Sequence, residues 1–226
     1  MFKKQNILML KSFITICFLG MIPLRILVRV IFDIKKYNVD DSAMNYVALM
    51  IGYAIMGFIA CYLYRDLFKY ELKKCGKVFE LIKTVIIYSC LFLGFEVIFN
   101  YLYSISIGSL NTSNQKIIDA GNGLNFNIYL LCCFARIVAA PIVEEIIFRY
   151  ILQNWVKNKF KVYGRVISIL FTAIIFGVLH SGFSKELILY VVPGLLFGMI
   201  YNKTNNLLVV IIIHAINNLL STLTRL

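Results

Sequence analysis

The sequence has few charged residues and only two histidines. Charged side chains make up 15% of the 226 positions, whereas hydrophobic side chains make up 61%. A soluble domain contains about a quarter charged residues and about half apolar residues. The scarcity of charge therefore excludes an ordinary soluble domain and predicts an all-α protein that crosses the membrane several times.

Two further absences limit the chemistry. The zinc-binding pattern His-Glu-x-x-His does not occur, and the six cysteines lack the spacing of a zinc site or of a disulfide framework. All of the cysteines except Cys75 fall in apolar stretches, where we expect them to be small buried hydrophobes.

A helix needs about 20 mostly apolar residues to cross a bilayer. Seven stretches meet this requirement, at about residues 9–32, 46–64, 82–108, 124–155, 164–183, 187–202 and 206–224. No small-residue cleavage site follows the first stretch, so we expect it to be a retained anchor. The polar stretch from Ile107 to Gly123 is typical of a loop. No repeat or long linker divides the chain, which predicts a single membrane domain over residues 1–226.

The lysines and arginines are concentrated on one side of the predicted spans. Most lie at the N-terminus and in the second, fourth and sixth connections. This bias predicts a multi-pass protein of the cell membrane with its N-terminus in the cytoplasm and, with seven spans, its C-terminus outside. The net charge of +12 does not indicate a nucleic-acid partner, because the basic side chains lie between apolar spans. We expect them to contact the anionic lipid of the bilayer.

One apolar stretch, from Leu124 to about Trp155, contains Glu144, Glu145 and Arg149. An ionisable residue at the bilayer centre costs roughly 2.5–3.5 kcal/mol or more, so these three require an explanation. On a helix Glu145 and Arg149 can pair because they are four residues apart, whereas Glu144 points about 100° away from Glu145. This predicts that Glu144 is available for chemistry. A structural ion pair between helices is the alternative.

Both histidines also fall in predicted spans, where a polar side chain is expected to face the protein interior. His180 follows Phe176 by four residues, and His214 precedes Asn218 by four residues. With a helical rise of about 1.5 Å per residue, Glu144, His180 and His214 lie roughly 20, 24 and 14 Å from the cytoplasmic ends of their spans. We therefore expect the three side chains to meet at one level inside the membrane.

Three motifs in this order, Glu-Glu-x-x-x-Arg, Phe-x-x-x-His and His-x-x-x-Asn, resemble those of the CPBP family of intramembrane proteases. That family includes the CAAX prenyl endopeptidases and the bacterial Abi proteins, which are tied to bacteriocin processing and self-immunity. The resemblance covers about residues 124–222, including Pro141 and the segment Gly194–Thr204. The three spans within residues 1–123 are similar to the family only in being hydrophobic.

The resemblance implies a role for each motif residue. Glu144 would activate a water molecule with help from His180. His214 and Asn218 would stabilise the oxyanion, and the pair formed by Glu145 and Arg149 would support them. Peptide hydrolysis needs a base, a water and donors directed at the developing oxyanion, and these residue types can supply them.

The family is often called metalloprotease, and the resemblance therefore raises the question of a metal. Glu144, His180 and His214 could hold zinc or another divalent ion. Because the zinc-binding pattern is absent and the three residues come from three spans, a mechanism without metal or other cofactor is favoured.

Other polar or helix-breaking residues in the spans favour structural roles. Gly194 and Gly198 form a small-x-x-x-small pair, which predicts close helix packing. Pro141 removes one backbone hydrogen bond and is expected to kink its helix. Glu96 and Arg136 lie at similar depths in their spans, so we expect them to pair; Arg136 contacting the substrate is the alternative.

We thus predict an endopeptidase that acts on a membrane-associated peptide or protein. The heavy use of Ile, Phe, Tyr, Asn and Lys is typical of an AT-rich, low-GC bacterium, which favours a peptide pheromone, a bacteriocin or a leader sequence over a CAAX-type substrate. One alternative is a non-catalytic bacteriocin-immunity or partner-binding membrane protein. A small-solute transporter is a weaker one, because no inverted repeat is visible.

Overall fold

The computed structural model describes residues 2–15, 21–34, 41–74, 76–107, 119, 124–160 and 162–224. The regular elements within these ranges are all helical. Nine helices are described: α1 (Phe2–Ile14), α2 (Met21–Ile34), α3 (Asp41–Leu63), α4 (Arg65–Lys74), α5 (Val78–Ile107), α6 (Phe126–Lys159), α7 (Gly164–Ser181), α8 (Leu187–Thr204) and α9 (Leu207–Leu223).

Five of these helices, α3, α5, α6, α7 and α8, are long and apolar enough to cross a membrane, and α9 is apolar but shorter. The predicted polytopic helical membrane protein is thereby confirmed, whereas the count of seven spans stays a prediction. The predicted first span, 9–32, corresponds to α1 and α2, and its residues 16–20 lie outside the described residues. Most of the predicted loop 107–123 also lies outside them.

The chain forms two compact units, and the first consists of residues 1–65, 113–143 and 218–226. Its core lies between α2, α3 and the first part of α6, where Tyr46 of α3 is buried with Cys132 of α6. Helices α3 and α6 approach closely at Gly57, because a Cβ added there would lie 2.8 Å from the Cβ of Ala139. This packing supports the part of α6 that precedes the two glutamates.

The second unit consists of residues 66–112 and 144–217. Within it α7 and α8 pack closely, since a Cβ added at Gly194 would lie 3.1 Å from the Cα of Ala173. Gly198 allows a similar approach, and its carbonyl accepts a hydrogen bond of 3.0 Å from Nε2 of Gln153 on α6. The predicted close helix packing at the glycine pair is confirmed.

Helix α6 changes its hydrogen-bond pattern four times. Two π-helical segments, Ala135–Ala139 and Ile146–Gln153, flank the short α-helical segment Ala140–Glu145 that carries Pro141 and both glutamates. π-Helical turns are rare and are frequent at functional sites. The kink expected at Pro141 stays a prediction.

Two predictions about single residues have a mixed outcome. Among the described cysteines, Cys132 and Cys133 are buried as expected, but Cys61 and Cys90 are exposed, so the expectation of burial is wrong for these two. They lie on helix faces that the other helices of their units do not cover. The pairing of Glu96 with Arg136 would join the two units and stays a prediction; Nη2 of Arg136 donates to Oγ of Ser221 at 3.0 Å within the first unit.

Candidate active site

Within the second unit, helices α6, α7 and α9 bring Glu144, His180 and His214 together. Oε2 of Glu144 lies 3.9 Å from Nε2 of His180 and 3.8 Å from Nε2 of His214. The side chains of Glu144 and His214 are 5% and 6% exposed, whereas that of His180 is 22% exposed. The cluster is therefore largely buried and most accessible on the side of His180.

Glu145 makes two strong contacts in the same unit. Its Oε2 accepts from Nε of Arg149 at 2.8 Å, which confirms the predicted i,i+4 pair, and its Oε1 lies 2.8 Å from Nδ1 of His214. Both oxygens of this fully buried carboxylate are thus used, one within α6 and the other on α9. The second contact positions the ring of His214.

Arg149 is completely buried, and its charge is accommodated by Glu145 and by aromatic rings. Nη1 of Arg149 also lies 3.4 Å from Oγ1 of Thr172, a long hydrogen bond. The guanidinium carbon lies 5.8 to 6.0 Å from the ring centres of Phe148, Phe176 and Phe197. Such cation–π contacts stabilise a cation further where water is excluded.

The two imidazole rings are held between aromatic neighbours. His180 stacks on Phe176 and Tyr190, with ring centres 4.1 and 5.3 Å apart. His214 stacks on Phe197, with ring centres 4.6 Å apart. This stacking restricts rotation of the His180 and His214 rings. Their Nε2 atoms therefore stay directed towards Glu144.

The partners of the two Nδ1 atoms determine where the ring protons lie. Nδ1 of His180 is 2.8 Å from the carbonyl oxygen of Phe176, and Nδ1 of His214 is 2.8 Å from a Glu145 oxygen that also belongs to an ion pair. Carbonyl and carboxylate oxygens only accept, so both Nδ1 atoms carry a proton. In the neutral rings Nε2 is therefore an acceptor, and both Nε2 atoms face Oε2 of Glu144.

Three facing acceptors are suited to hold a species that donates or is positive. Two acceptors 3.8 to 3.9 Å apart, such as Glu144 Oε2 and one histidine Nε2, can each accept one hydrogen bond of about 2.8 Å from the same water molecule. A carboxylate oxygen and two imidazole nitrogens are also atoms that can coordinate zinc. Tetrahedral zinc ligands lie about 3.4 Å apart, so the three atoms would have to move inward to bind an ion. Accordingly, no group of three or more such side chains in the described part of the chain is arranged as a metal site.

Asn218 belongs to the first unit, at the point where α9 passes from one unit to the other. Its Nδ2 donates to the carbonyl oxygen of Arg136 at 3.0 Å. Because a carbonyl only accepts, this contact fixes which side of the amide carries nitrogen. The two N–H bonds of that amide point in different directions, and the contact uses one of them.

Several residues of the site have no sequence motif of their own. Thr172 and Phe197 contact the motif residues but were not singled out, and the role of the Phe176 carbonyl was not predicted although Phe176 belongs to the Phe-x-x-x-His motif. The link between Glu145 and His214 was also missed, because it joins residues 69 positions apart. Local spacing revealed the i,i+4 pair of α6, whereas contacts between helices had no local signal.

Comparison with known proteins agrees with the resemblance of the motifs. Residues 126–220 match a family model described as type II CAAX prenyl endopeptidase Rce1-like. A Bacillus subtilis (strain 168) protein named "Putative membrane peptidase YdiL" is 30% identical over 118 residues, which are 51% of this chain and 44% of that protein. "UPF0177 protein YxdF" of Lactococcus lactis subsp. lactis (strain IL1403) is 24% identical over 127 residues, 55% of this chain and 68% of the relative. No solved structure matches.

The chain thus spans less than half the length of the Bacillus relative that it matches. The match of the family model includes all three motifs, from Glu144 to Asn218. The resemblance to this family of intramembrane proteases is confirmed for residues 126–220.

Proposed function

We propose that this chain, whose residues 126–220 carry the motifs of the Rce1-like CAAX endopeptidases, is an intramembrane endopeptidase. One observation carries the proposal: Oε2 of Glu144 faces the Nε2 atoms of both histidines at 3.9 and 3.8 Å inside a largely buried cluster. A carboxylate and a neighbouring imidazole that one water can bridge are groups that can activate this water for peptide hydrolysis.

In this proposal Glu144 is the general base. Its carboxylate removes a proton from a water that His180 helps to orient through Nε2, and the water oxygen forms a bond to the scissile carbonyl carbon. The protonated Glu144 then donates to the amide nitrogen of the substrate as the carbon–nitrogen bond breaks. The exposure of His180 is consistent with approach of the substrate from that side.

His214 and Asn218 would stabilise the oxyanion that forms in this step. Nδ1 of His214 is bound to the Glu145 carboxylate, which holds the ring in place, and in this role the ring donates to the oxyanion through an N–H at Nε2. Asn218 is four residues further along α9, so it shares a face with His214 and can donate with its remaining amide N–H. Donors directed at developing charge are among the strongest contributions to catalysis.

A metal is not required by this proposal. If an ion were bound, Glu144, His180 and His214 would hold it. It would supply a water of lowered pKa and polarise the substrate carbonyl. We propose the metal-free mechanism, because Glu144 can carry both proton transfers and the donors of His214 and Asn218 can stabilise the oxyanion.

For the substrate we propose a peptide pheromone, a bacteriocin, a leader sequence or a CAAX-type protein that reaches the bilayer. The family model supports the CAAX-type chemistry, and the bacterial sources of both relatives agree with the composition of this chain. The alternative is a non-catalytic immunity or partner-binding protein. Substitution of Glu144 distinguishes the two, because an enzyme should lose its function and a binding protein should keep it.

The test uses the full chain, purified into lipid nanodiscs, with two probes. One is a quenched fluorogenic peptide that ends in a prenylated cysteine and three further residues, and the other is a set of apolar leader peptides followed by mass spectrometry. Glu144→Gln should lower the rate of cleavage by roughly 100–10,000-fold and change the Tm little. Glu80→Gln, at an exposed position in the first turn of α5, is the matched control and should cleave at the wild-type rate.

The same preparation tests the metal. Exhaustive chelation should leave the rate unchanged, and elemental analysis should find no stoichiometric ion. Inactivation by the chelator with recovery on addition of one divalent ion would overturn the metal-free mechanism but not the protease. Near-normal cleavage by Glu144→Gln would overturn Glu144 as the general base, whereas no cleavage of either probe by the wild type would overturn the protease and favour the immunity protein.

A further inference from the structure

The carbonyl of Arg136, in the middle of a membrane-spanning helix, accepts a hydrogen bond from a side chain on another helix. It lies in the π-helical segment Ala135–Ala139, and the donor is Nδ2 of Asn218 at 3.0 Å. Both residues belong to the first unit. A main-chain carbonyl in a helix normally accepts from the N–H four or five residues later, so the side-chain donor requires an explanation.

The residues that follow Arg136 provide it. Four residues later, the N–H of Ala140 donates to the carbonyl of Ala135 in the π-helical pattern. Five residues later stands Pro141, which has no N–H. Neither position supplies a main-chain donor to the Arg136 carbonyl, and the amide of Asn218 takes that place. Inside a bilayer such a replacement is needed, because an unsatisfied backbone group costs several kcal/mol.

We propose that Pro141 is a positioning residue for Asn218. By removing one N–H from the helix, Pro141 reserves the Arg136 carbonyl for the Asn218 amide. This contact fixes the orientation of the amide and leaves its second N–H for another acceptor. The inference rests on the proposed function, in which that second N–H donates to the oxyanion.

A second contact supports the same arrangement. Nη2 of Arg136 donates to Oγ of Ser221, three residues beyond Asn218 on α9. Arg136 thus contacts two residues on the same face of α9, Asn218 through its main-chain carbonyl and Ser221 through its side chain. The amide of Asn218 is therefore held by a rigid helix and not by a loop, which is what precise placement of a donor requires.

The test is a double-mutant cycle of Pro141→Ala and Asn218→Ala in nanodiscs, with the two peptide probes of the previous section. Alanine restores the N–H at position 141, which can take the Arg136 carbonyl and release the Asn218 amide. Pro141→Ala should lower kcat by roughly 10–100-fold and change KM little, and it should do almost nothing further in the Asn218→Ala background. Pro193→Ala, which changes a proline inside α8, should act additively with Asn218→Ala.

Thermal unfolding provides a readout that does not depend on activity. Asn218→Ala should lower the Tm of the otherwise unchanged protein by roughly 2–6 °C, because it removes the donor of a buried carbonyl. In the Pro141→Ala background the loss should be much smaller, since the new N–H can satisfy the same carbonyl. Pro141→Ala is expected to fold, because alanine is favoured over proline in a helix interior. If it does not accumulate, Pro141→Gly restores the same N–H and is evaluated in the same way.

Coupling in both kcat and Tm supports the inference. If Asn218→Ala is slow but Pro141→Ala is fast or additive, the positioning role is wrong and the proposed function stands. If Asn218→Ala cleaves at the full rate, both the oxyanion role of Asn218 and the positioning role of Pro141 are wrong. Loss of cleavage in Glu144→Gln would still support the protease in that case.

Discussion

The adjacent residues Glu144 and Glu145 differ because neighbouring side chains point about 100° apart on a helix. Glu145 faces Arg149 and His214 and has a contact of 2.8 Å at each oxygen. Glu144 faces the Nε2 atoms of both histidines, at 3.8 and 3.9 Å. Both oxygens of Glu145 are therefore engaged in close contacts, whereas Glu144 lies beside the histidines as the proposed mechanism requires of a base.

Glu145→Gln tests this difference. The amide must place its NH₂ against a donor of either Arg149 or His214, and it leaves the buried guanidinium without a negative charge. Removing one partner of a buried pair typically costs about 3–5 kcal/mol. We expect the Tm of Glu145→Gln to fall by roughly 6–20 °C. Glu144→Gln, measured in parallel by the same thermal scan, should stay close to the wild type; equal losses in both variants would contradict the assignment.

The oxyanion role predicts a kinetic signature for His214 and Asn218. Removing one such donor typically lowers the rate by about 100–1000-fold. His214→Ala and Asn218→Ala should each lower kcat in this range while binding of the substrate, measured by pull-down from membranes, persists. Asn217→Ala is the neighbouring control and should be much milder. Full activity of both variants at normal abundance would exclude an oxyanion site here.

At the scale of helices, α4 is attached to the turn between α8 and α9. Oε2 of Glu71 accepts from the N–H of Leu207 at 3.2 Å, and Nδ2 of Asn206 donates to the carbonyl of Glu71. Nζ of Lys74 donates to the carbonyl of Asn205. Asn206 also caps the start of α9 with its Oδ1, 2.9 Å from the N–H of Leu208. The helix that carries His214 is thus anchored at its first turn.

This anchor predicts a pH dependence of stability. Burial raises the pKa of Glu71 above its usual 4.5, opposed by Lys74 and by the N–H of Leu207. The folded protein therefore binds this proton more tightly than the unfolded chain does. The stability that Glu71 contributes should be fully present below pH 4.5 and be lost as the pH rises through the raised pKa.

Glu71→Gln should remove this slope, because an amide does not titrate. The Tm values of the wild type and of Glu71→Gln are measured by thermal unfolding from acid to neutral pH. As the pH rises, the Tm of the wild type should fall relative to that of Glu71→Gln. Glu80→Gln controls for the loss of one exposed carboxylate. A difference that does not change with pH would contradict the effect of burial.

At the scale of the whole molecule, the distribution of basic residues predicts the orientation in the membrane. The segment between α3 and α5 exposes Lys69, Lys73, Lys74 and Lys77, and positive residues favour the cytoplasmic side. Reporter domains that are active on only one side of the membrane should place the N-terminus and this segment in the cytoplasm. With seven spans the C-terminus should report from outside. A C-terminal reporter on the cytoplasmic side would contradict a count of seven.

The sequence by itself determined the class of protein and one of the contacts in the site. Apolar runs reveal membrane helices because the length of a span is a local property, and the ends of α7 and α8 agree with the prediction to within a few residues. Lys11 interrupts the apolar run of the first predicted span, which corresponds to two helices, α1 and α2. The pair of Glu145 and Arg149 was also predictable, because residues four apart on a helix share a face.

Only the tertiary structure decided which groups meet across helices. The contact of Glu145 with His214, the approach of both Nε2 atoms to Oε2 of Glu144, and the Arg136 carbonyl that receives Asn218 depend on helix rotation and packing. None of these contacts joins residues three or four apart on one helix, and the last joins a side chain to a main-chain group. Sequence spacing could therefore nominate the histidines and glutamates, but the packing of α6, α7 and α9 determined which atoms of those residues face one another.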